Sequence, residues 1–227
     1  MFMECGIILT NVNLKLKYYV SPNFNPTLRN QFKFTATNLI HKYLYFWYSN
    51  IKPKNKFLNL GCGPQLIRNY DNADVPAIKF WNAPHIPVNL LEKLPFKNES
   101  YEGVYTEHTL EHLNPFQAIH LLKEINRIIK PNGFLRIVVP DLDYYISNTF
   151  IENENFKHFH TTAESFWNLT QNWGHKNVYN FEILDLLLTE LGYFNIRKQQ
   201  FLQGDSNMLV DQESRKWESL YVEAQKH

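Results

Sequence analysis

Short apolar runs alternate with one long amphipathic segment through the middle of the chain. The runs KFLNL, HIPVNL and YEGVYT predict strands, because each is short, rich in strand-forming residues and bounded by turn residues. The segment NPFQAIHLLKEINRIIKPNG predicts a helix that Asn114 caps and Pro115 opens, since its apolar residues recur with the 3.6-residue period. The run FLRIVVP, closed by Pro140, predicts a buried strand parallel to the strand before that helix.

Similar patterns extend the prediction towards both ends of the chain. Loosely helical apolar spacing predicts a helix from about Pro26 to Tyr48. Near the other end, NFEILDLLLTELG predicts a helix capped by Asn180 and closed by Gly192. The last apolar runs, YFNIRKQQF and ESLYVEAQ, predict an antiparallel pair at one edge of the sheet. Together these elements predict an α/β fold whose central sheet is mostly parallel and ends in an antiparallel strand.

Composition and charge narrow the classes of partner. The 227 residues carry a formal net charge of +1, so a long nucleic acid or an anionic membrane is not the expected partner. No segment approaches the ~20 apolar residues of a membrane span, and the first residues lack a signal-peptide pattern. Cys5 and Cys62 are far apart in sequence, which favours a reducing compartment. We therefore expect a cytoplasmic protein.

The sequence LGCGP places a glycine turn directly after a predicted strand. Gly61 and Gly63 lack side chains and can adopt positive φ, so the backbone there can turn sharply beneath a ligand. The same pattern also fits an ordinary strand-to-helix turn. Asp74 is the next carboxylate at a predicted strand end, where an acidic residue commonly binds ribose hydroxyls. Only 11 positions separate Gly63 from Asp74 (74 − 63), which leaves room for a short first helix or none.

Four segments, taken in order, resemble the motifs of class I S-adenosylmethionine-dependent methyltransferases: FLNLGCGP, NAD, VNLLEKLPFKNESYEGVYTEHTLEHL and LLKEINRIIKPNGFLRIVVPDL. The resemblance covers about Lys56 to Leu142 and is greatest to a bacterial subgroup associated with surface-polysaccharide and sugar biosynthesis. It implies a Rossmann-like seven-stranded sheet with a short or missing first helix. It also implies S-adenosyl-L-methionine as the cofactor and O-methylation of a sugar, a sugar nucleotide or a surface-polysaccharide component.

On this interpretation the chain is one domain, residues 1–227, with four parts. Residues 1–54 form a helical extension, 55–145 the cofactor-binding core, 146–179 a substrate-side insertion, and 180–227 the last helix and the antiparallel strands. The insertion is rich in aromatic residues and histidine and has no clean period. It could cover a site as a lid does, or it could be an ordinary insertion.

The resemblance assigns cofactor contacts by position. The backbone of the glycine turn would approach the methionine and ribose part, Asp74 would bind the ribose hydroxyls, and Asn89 with the residue after it would lie beside the adenine. Asn59 and Asn89 stand where many members carry an acidic residue, so both keep hydrogen-bonding ability without the charge. The predicted cofactor-binding residues are Asn59, Gly61, Cys62, Gly63, Asp74, Asn89, Leu90 and Thr106.

The segment TEHTLEH fits a metal site, an acid/base pair or structural residues. His108 and His112 have the i, i+4 spacing of a helical HExxH zinc site, but Thr109 stands where that motif has glutamate. By the resemblance, this segment ends the fourth strand beside the sulfonium methyl. A hydroxyl acceptor must lose its proton, and a histidine can accept it near neutral pH. His108 is therefore the candidate base, with Glu107 orienting it or binding the acceptor; His112 is expected to be structural, and no metal ligand is assigned.

Two further residues are alternative candidates for the base. Asp141 directly follows the fifth predicted strand and His175 lies in NWGHKNVY, and substrates enter a doubly wound sheet beyond the carboxyl ends of its strands. The expected partner is a small-molecule or glycan acceptor of undetermined identity. Two other functions stay open: a cofactor-binding partner without catalysis, which the uncharged Asn59 and Asn89 would fit, and a zinc-dependent hydrolase.

Overall fold

A computed structural model describes residues 50–75, 86–147, 160–171, 173–208, 211 and 216–227. The predicted helix from Pro26 to Tyr48 and the residue Cys5 lie outside the described residues. The strands are β1 Phe57–Leu60, β2 Tyr70–Asp74, β3 Ile86–Pro87, β4 Tyr101–Glu107, β5 Ile129–Pro140, β6 Tyr193–Gln199 and β7 Ser219–Lys226. The helices are α1 Pro115–Ile128, α2 Leu142–Tyr145, α3 Thr162–Gln171 and α4 Phe181–Glu190, and a 3₁₀ turn spans Leu110–His112.

All seven strands form one sheet in the order β3-β2-β1-β4-β5-β7-β6. The first five strands pair in parallel, whereas β7 is antiparallel to both of its neighbours, β5 and β6. This arrangement confirms the predicted Rossmann-like seven-stranded sheet of the class I methyltransferase type. It also confirms that the last two apolar runs form an antiparallel pair at one edge, because β7 is inserted between β5 and β6.

The parallel strands bring the candidate residues to one edge of the sheet. The strands β1, β2, β4 and β5 end at Leu60, Asp74, Glu107 and Pro140. Carboxyl ends of parallel strands lie together, and such an edge is where α/β sheets bind ligands. Between β1 and β2, residues 61–69 form turns and no helix, as the short spacing to Asp74 predicted. The glycine turn therefore leads almost directly into β2.

Helix α1 forms where the apolar period predicted it. Asn114 accepts a hydrogen bond from the backbone N–H of Gln117 at 3.0 Å, and the Gln117 side chain accepts one from the Asn114 backbone at 3.0 Å, which is a complete capping box. Its inner face packs into the main core, where Leu121, Leu122 and Ile125 are fully buried. None of the described helices is long and apolar enough to cross a membrane.

A buried ionic cluster fastens the segment after β6 to the sheet. Arg136 on β5 is fully buried, and its Nε donates to Asp211 at 2.5 Å while its Nη1 lies 3.3 Å from a carboxylate oxygen of Glu223. The same guanidinium donates to the backbone carbonyls of Gln203 at 2.9 Å and Gln200 at 3.1 Å. Charge pairing and hydrogen bonding together offset the cost of removing these groups from water.

Candidate active site

The glycine turn has the backbone geometry that the sequence predicted. Gly61 and Gly63 adopt φ of +77° and +49°, a region that residues with a side chain rarely occupy. A Cβ atom at Gly61 would collide with the Thr109 side chain that follows β4, whereas one at Gly63 would meet no atom of the described residues within 4 Å. The turn thus packs tightly on one side and is open on the other, which fits a ligand approaching the backbone.

Asp74 reaches the glycine turn from the end of β2. Its Oδ2 accepts a hydrogen bond from the backbone N–H of Gly63 at 2.5 Å, and its Oδ1 accepts one from Val75 at 2.6 Å. The structure therefore brings Asp74 and the turn together, as the sequence predicted. Both carboxylate oxygens thus bind backbone N–H groups at the glycine turn and at the end of β2.

The Asn59 side chain stabilises the chain that follows the glycine turn. Its side-chain amide donates to the Gln65 carbonyl at 3.0 Å and to Oδ1 of Asn72 at 2.9 Å. These bonds hold the segment between β1 and β2, which contains no helix. A small cavity lies beside the glycine turn. It is lined by Asn59, Gly61, Cys62, Gln65, Ile67, Tyr105 and Glu107.

Cys62 is a buried, neutral thiol within this turn. Burial, together with the nearby charge of Asp74, raises the pKa of Cys62 to about 12 from 9.0. A thiol needs a lowered pKa to act as a nucleophile near neutrality. Cys62 therefore contributes backbone geometry and packing to the site.

Three other cofactor candidates lie nearby but are almost entirely buried. Asn89 accepts a hydrogen bond from the backbone N–H of Leu91 at 3.0 Å, which forms a tight turn after β3, and Leu90 is buried beside it. Thr106 is fully buried within β4. Since side chains alternate along a strand, Thr106 points away from the cavity that Tyr105 and Glu107 line. The structure thus does not bring Thr106 to this cavity.

His108 lies at the end of β4 in a conformation that few residues adopt. Its φ is +47°, and its backbone N–H donates to the Val138 carbonyl on β5 at 2.9 Å. Its ring Nδ1 lies 2.8 Å from Oε1 of Glu111, which is 1% exposed. A carboxylate oxygen accepts, so Nδ1 is the ring nitrogen that donates in this contact. Glu111 is therefore the residue that orients His108, in the way a carboxylate orients the histidine of a catalytic triad.

The sequence analysis did not single out Glu111. Its signal was the i, i+3 spacing from His108, which places two side chains on one face of a turn. Glu107, which was predicted to orient His108 or bind the acceptor, accepts a hydrogen bond from the Tyr105 hydroxyl at 2.5 Å. It also lines the cavity above the glycine turn. The structure therefore brings Glu107 to the same cavity as Gly61 and Cys62.

Asp141 has a structural role at the end of β5. It caps α2 by accepting a hydrogen bond from the Asp143 backbone at 3.1 Å, and it accepts another from Nζ of Lys198 at 3.0 Å. Both carboxylate oxygens of Asp141 are therefore engaged in structural hydrogen bonds. The geometry therefore favours His108 over Asp141 as the base.

His175 lies against His112, with ring centroids 5.1 Å apart in an edge-to-face arrangement. Its Nδ1 is 2.6 Å from the Leu169 carbonyl of α3, so that Nδ1 donates. Burial lowers the pKa of His175 from its ordinary value of 6.5, and the charge of Glu111 only partly opposes this effect. His175 is therefore neutral at physiological pH.

Backbone hydrogen bonds place His175 beside the end of β4. The Glu111 carbonyl accepts from the backbone N–H groups of Lys176 at 2.7 Å and Asn177 at 3.1 Å. The Asn177 side chain donates to the Leu113 carbonyl at 3.2 Å, and the Tyr179 hydroxyl to the Leu110 carbonyl at 3.4 Å. We call these contacts between residues 176–179 and 110–113 the backbone clamp.

The insertion 146–179 contains a helix that the sequence analysis did not predict. Helix α3 begins where the Glu164 carboxylate accepts from the backbone of Thr161 and the Thr161 hydroxyl accepts from the backbone of Glu164, at 3.0 and 3.2 Å. The sequence TTAE carries this capping-box signal, and its aromatic surroundings obscured the apolar period.

Residues 58–137 match a family model described as a methyltransferase domain. Among solved structures, a SAM-dependent methyltransferase from Archaeoglobus fulgidus is similar with a TM-score of 0.53 and 18% identity, over 84% of this chain and 94% of that one. A SAM-dependent methyltransferase from Thermotoga maritima, described as a possible histamine N-methyltransferase, has a TM-score of 0.52 and 16% identity. The similarity covers 88% of this chain and 97% of that one. No curated protein matches the chain in sequence.

The strand order, the glycine turn and Asp74 define a Rossmann-like fold of the class I methyltransferase type. The matched domain lies on the core that carries these features. Residues 58–137 accordingly form a methyltransferase domain, and the chain is an enzyme that uses S-adenosyl-L-methionine as its cofactor.

Proposed function

We propose that this methyltransferase methylates a hydroxyl group of a sugar, a sugar nucleotide or a surface-polysaccharide component, with His108 as the general base. His108 Nε2 accepts the hydroxyl proton as the acceptor oxygen attacks the methyl carbon. The carbon–sulfur bond breaks as the new oxygen–carbon bond forms, and its electron pair stays on sulfur as S-adenosylhomocysteine leaves. Most of the rate enhancement comes from aligning the acceptor oxygen, the methyl carbon and the sulfur, and proton removal by the base adds to it.

The pairing of His108 with Glu111 is the observation that carries this proposal. A buried carboxylate 2.8 Å from Nδ1 fixes the tautomer that leaves Nε2 as an acceptor. The left-handed backbone at His108 supports it further, because strained residues concentrate at functional sites. Such a base is needed for a hydroxyl, whose proton must leave before or during the transfer.

Aromatic side chains on the insertion support a sugar-like acceptor. Trp167 on α3 and Trp173 after it are 62% and 70% exposed. Large exposed aromatic faces offer apolar contact area to a ligand, and the C–H face of a sugar ring stacks on them. The backbone clamp joins this part of the chain to the end of β4. Residues 146–179 are thus proposed as the substrate-side segment.

The test combines cofactor binding with turnover. Purified protein is titrated with S-adenosylhomocysteine by calorimetry, and S-adenosylhomocysteine release is followed with sugar nucleotides, glycans and amines as acceptors. His108→Asn, which tolerates positive φ, should lower kcat by about 10²–10⁴-fold and remove the acid limb of the pH profile, with binding unchanged. His227→Asn, at the opposite end of the sheet, is the control. Binding without turnover on any acceptor would favour the non-catalytic alternative, and amine-only turnover would refute the proposal.

A further inference from the structure

Three side chains near the end of β4 offer donor atoms, and the proposed reaction uses only one of these atoms, Oε1 of Glu111. Glu111 and His112 lie on the 3₁₀ turn, and His175 lies on the loop that the backbone clamp holds. One ligand atom from each lies within 4.8 Å of the other two. The sequence analysis assigned no metal ligands, because Thr109 stands where a helical HExxH site has glutamate and because the resemblance gave this segment another role.

The Glu111 carboxylate gives the first physical argument for a cation. The residue is 1% exposed, and only its Oε1 is bound, by the His108 ring. Within the described residues, its buried Oε2 accepts no hydrogen bond. A buried carboxylate oxygen without a partner is unfavourable because it has lost its hydrogen bonds to water, and a bound cation would compensate for that loss.

The state of the His175 ring gives the second argument. Its Nδ1 donates to the Leu169 carbonyl at 2.6 Å, so Nε2 is the ring atom that keeps a lone pair. Histidines that bind metals usually donate their other N–H to a carbonyl or carboxylate, which fixes both tautomer and ring orientation. His112 and His175 are both partly exposed, which leaves a route from solvent to the cluster.

We propose that Glu111, His112 and His175 bind a divalent transition-metal ion, and that the donor set favours Zn²⁺. Two imidazoles and one carboxylate are the ligand set of several zinc sites that keep an open coordination position. Tetrahedral ligands at about 2.0–2.2 Å lie roughly 3.3 Å apart, so side-chain rotations must close the present spacing. This is a different set from the His108 and His112 pair of a helical HExxH motif. The structure lacks that helix, since His108 has positive φ and a 3₁₀ turn follows it.

The role of the ion rests on the proposed function. Glu111 uses one oxygen to orient His108 and offers the other to the ion, so the base and the open coordination position are neighbours. An acceptor hydroxyl bound to the ion loses its proton more readily, and His108 accepts that proton. The ion would thereby position the acceptor oxygen and increase its nucleophilicity.

The first experiment measures metal binding without any acceptor. Protein freed of metal by chelation is titrated with ZnCl₂ by calorimetry, and Co²⁺ is added separately to record its visible absorption. We expect one ion per chain, with a Co²⁺ spectrum typical of nitrogen and oxygen ligands. His112→Ala and His175→Ala should each weaken Zn²⁺ binding about 100-fold or more. His227→Ala is the matched control and should bind as the unaltered chain does.

Two further measurements distinguish the loss of a metal ligand from the unfolding of a variant. S-adenosylhomocysteine binding and circular dichroism of each variant show that it is folded, so that lost metal binding is a local effect. Absence of stoichiometric binding, or equal affinity in all three variants, would overturn the metal site. The proposed O-methylation fails separately, by the His108→Asn turnover assay, because metal binding requires neither cofactor nor acceptor.

Discussion

The buried Arg136 cluster allows a quantitative prediction for Arg136→Met. Methionine fills much of the same volume, so the main change is loss of the positive charge and of the bonds to two carboxylates and two carbonyls. Asp211 and Glu223 would then remain buried together without a counter-charge. Removing one partner from a buried ionic cluster costs about 3–5 kcal/mol.

Arg197→Met is a matched control for this prediction. Arg197 pairs with Asp205 at 2.9 Å, in the same arginine–aspartate chemistry, but their side chains are 58% and 57% exposed. The side chains of Arg136 and Asp211 are both 0% exposed. Exposed pairs contribute about 0–1 kcal/mol, because water and salt screen them and the side chains lose entropy. The two substitutions therefore differ mainly in burial.

Urea denaturation followed by circular dichroism measures both variants. With a slope of about 2–3 kcal/mol per molar urea, the Arg136→Met midpoint should fall by roughly 1–2 M. The Arg197→Met midpoint should fall by less than about 0.5 M. Equal urea midpoints for the two variants, with equal slopes, would show that the Arg136 charge does not stabilise the buried Asp211 and Glu223 carboxylates. That result would refute the prediction.

The remaining predictions concern the cofactor site. Gly61→Ala should weaken S-adenosylhomocysteine binding at least tenfold in calorimetry, whereas Gly192→Ala, with a similar φ of +84° but open space around a Cβ, should leave it unchanged. Asp74→Ala should weaken the same binding severely, and unaltered affinity would remove Asp74 from the cofactor site. With the other cysteine replaced by serine, Cys62 should react with iodoacetamide at pH 8 about a thousandfold more slowly than a thiol with a pKa of 9.0. Urea-unfolded protein is the control for this last rate, and equally fast labelling of the folded chain would contradict it.

Local signals explain which elements the sequence predicted well. The α1 boundaries follow from Asn114, Gln117 and an unbroken apolar period, all within fifteen positions. Strand β5 is longer than the predicted FLRIVVP and begins at Ile129, because Ile129 already pairs with Tyr101 on β4, ahead of a register shift that precedes Phe134. The predicted HIPVNL strand shortens to two residues, since Asn89 turns the chain directly afterwards. Such details depend on neighbouring strands.

The residues of the candidate site likewise fall into those whose positions follow from local sequence signals and those whose positions depend on distant parts of the chain. Gly61, Gly63 and Asp74 belong to one short segment, so their proximity was readable from spacing alone. The partnership of His108 with Glu111 was within reach of the same reasoning, but the burial of Glu111 was not. The position of His175 depends on backbone bonds across 65 and 66 positions (176 − 111 and 177 − 111), and no sequence pattern encodes them.

The backbone clamp has a consequence for how this enzyme could be re-engineered. Peptide groups make two of its bonds, through the Glu111 carbonyl, so these do not depend on the identity of the side chains at 176 and 177. Trp173 and Lys176 face outwards on the same loop. Libraries randomised at these two positions should therefore change acceptor preference while the reactive groups keep their spacing. The loop is a natural starting point for directed evolution towards new acceptors.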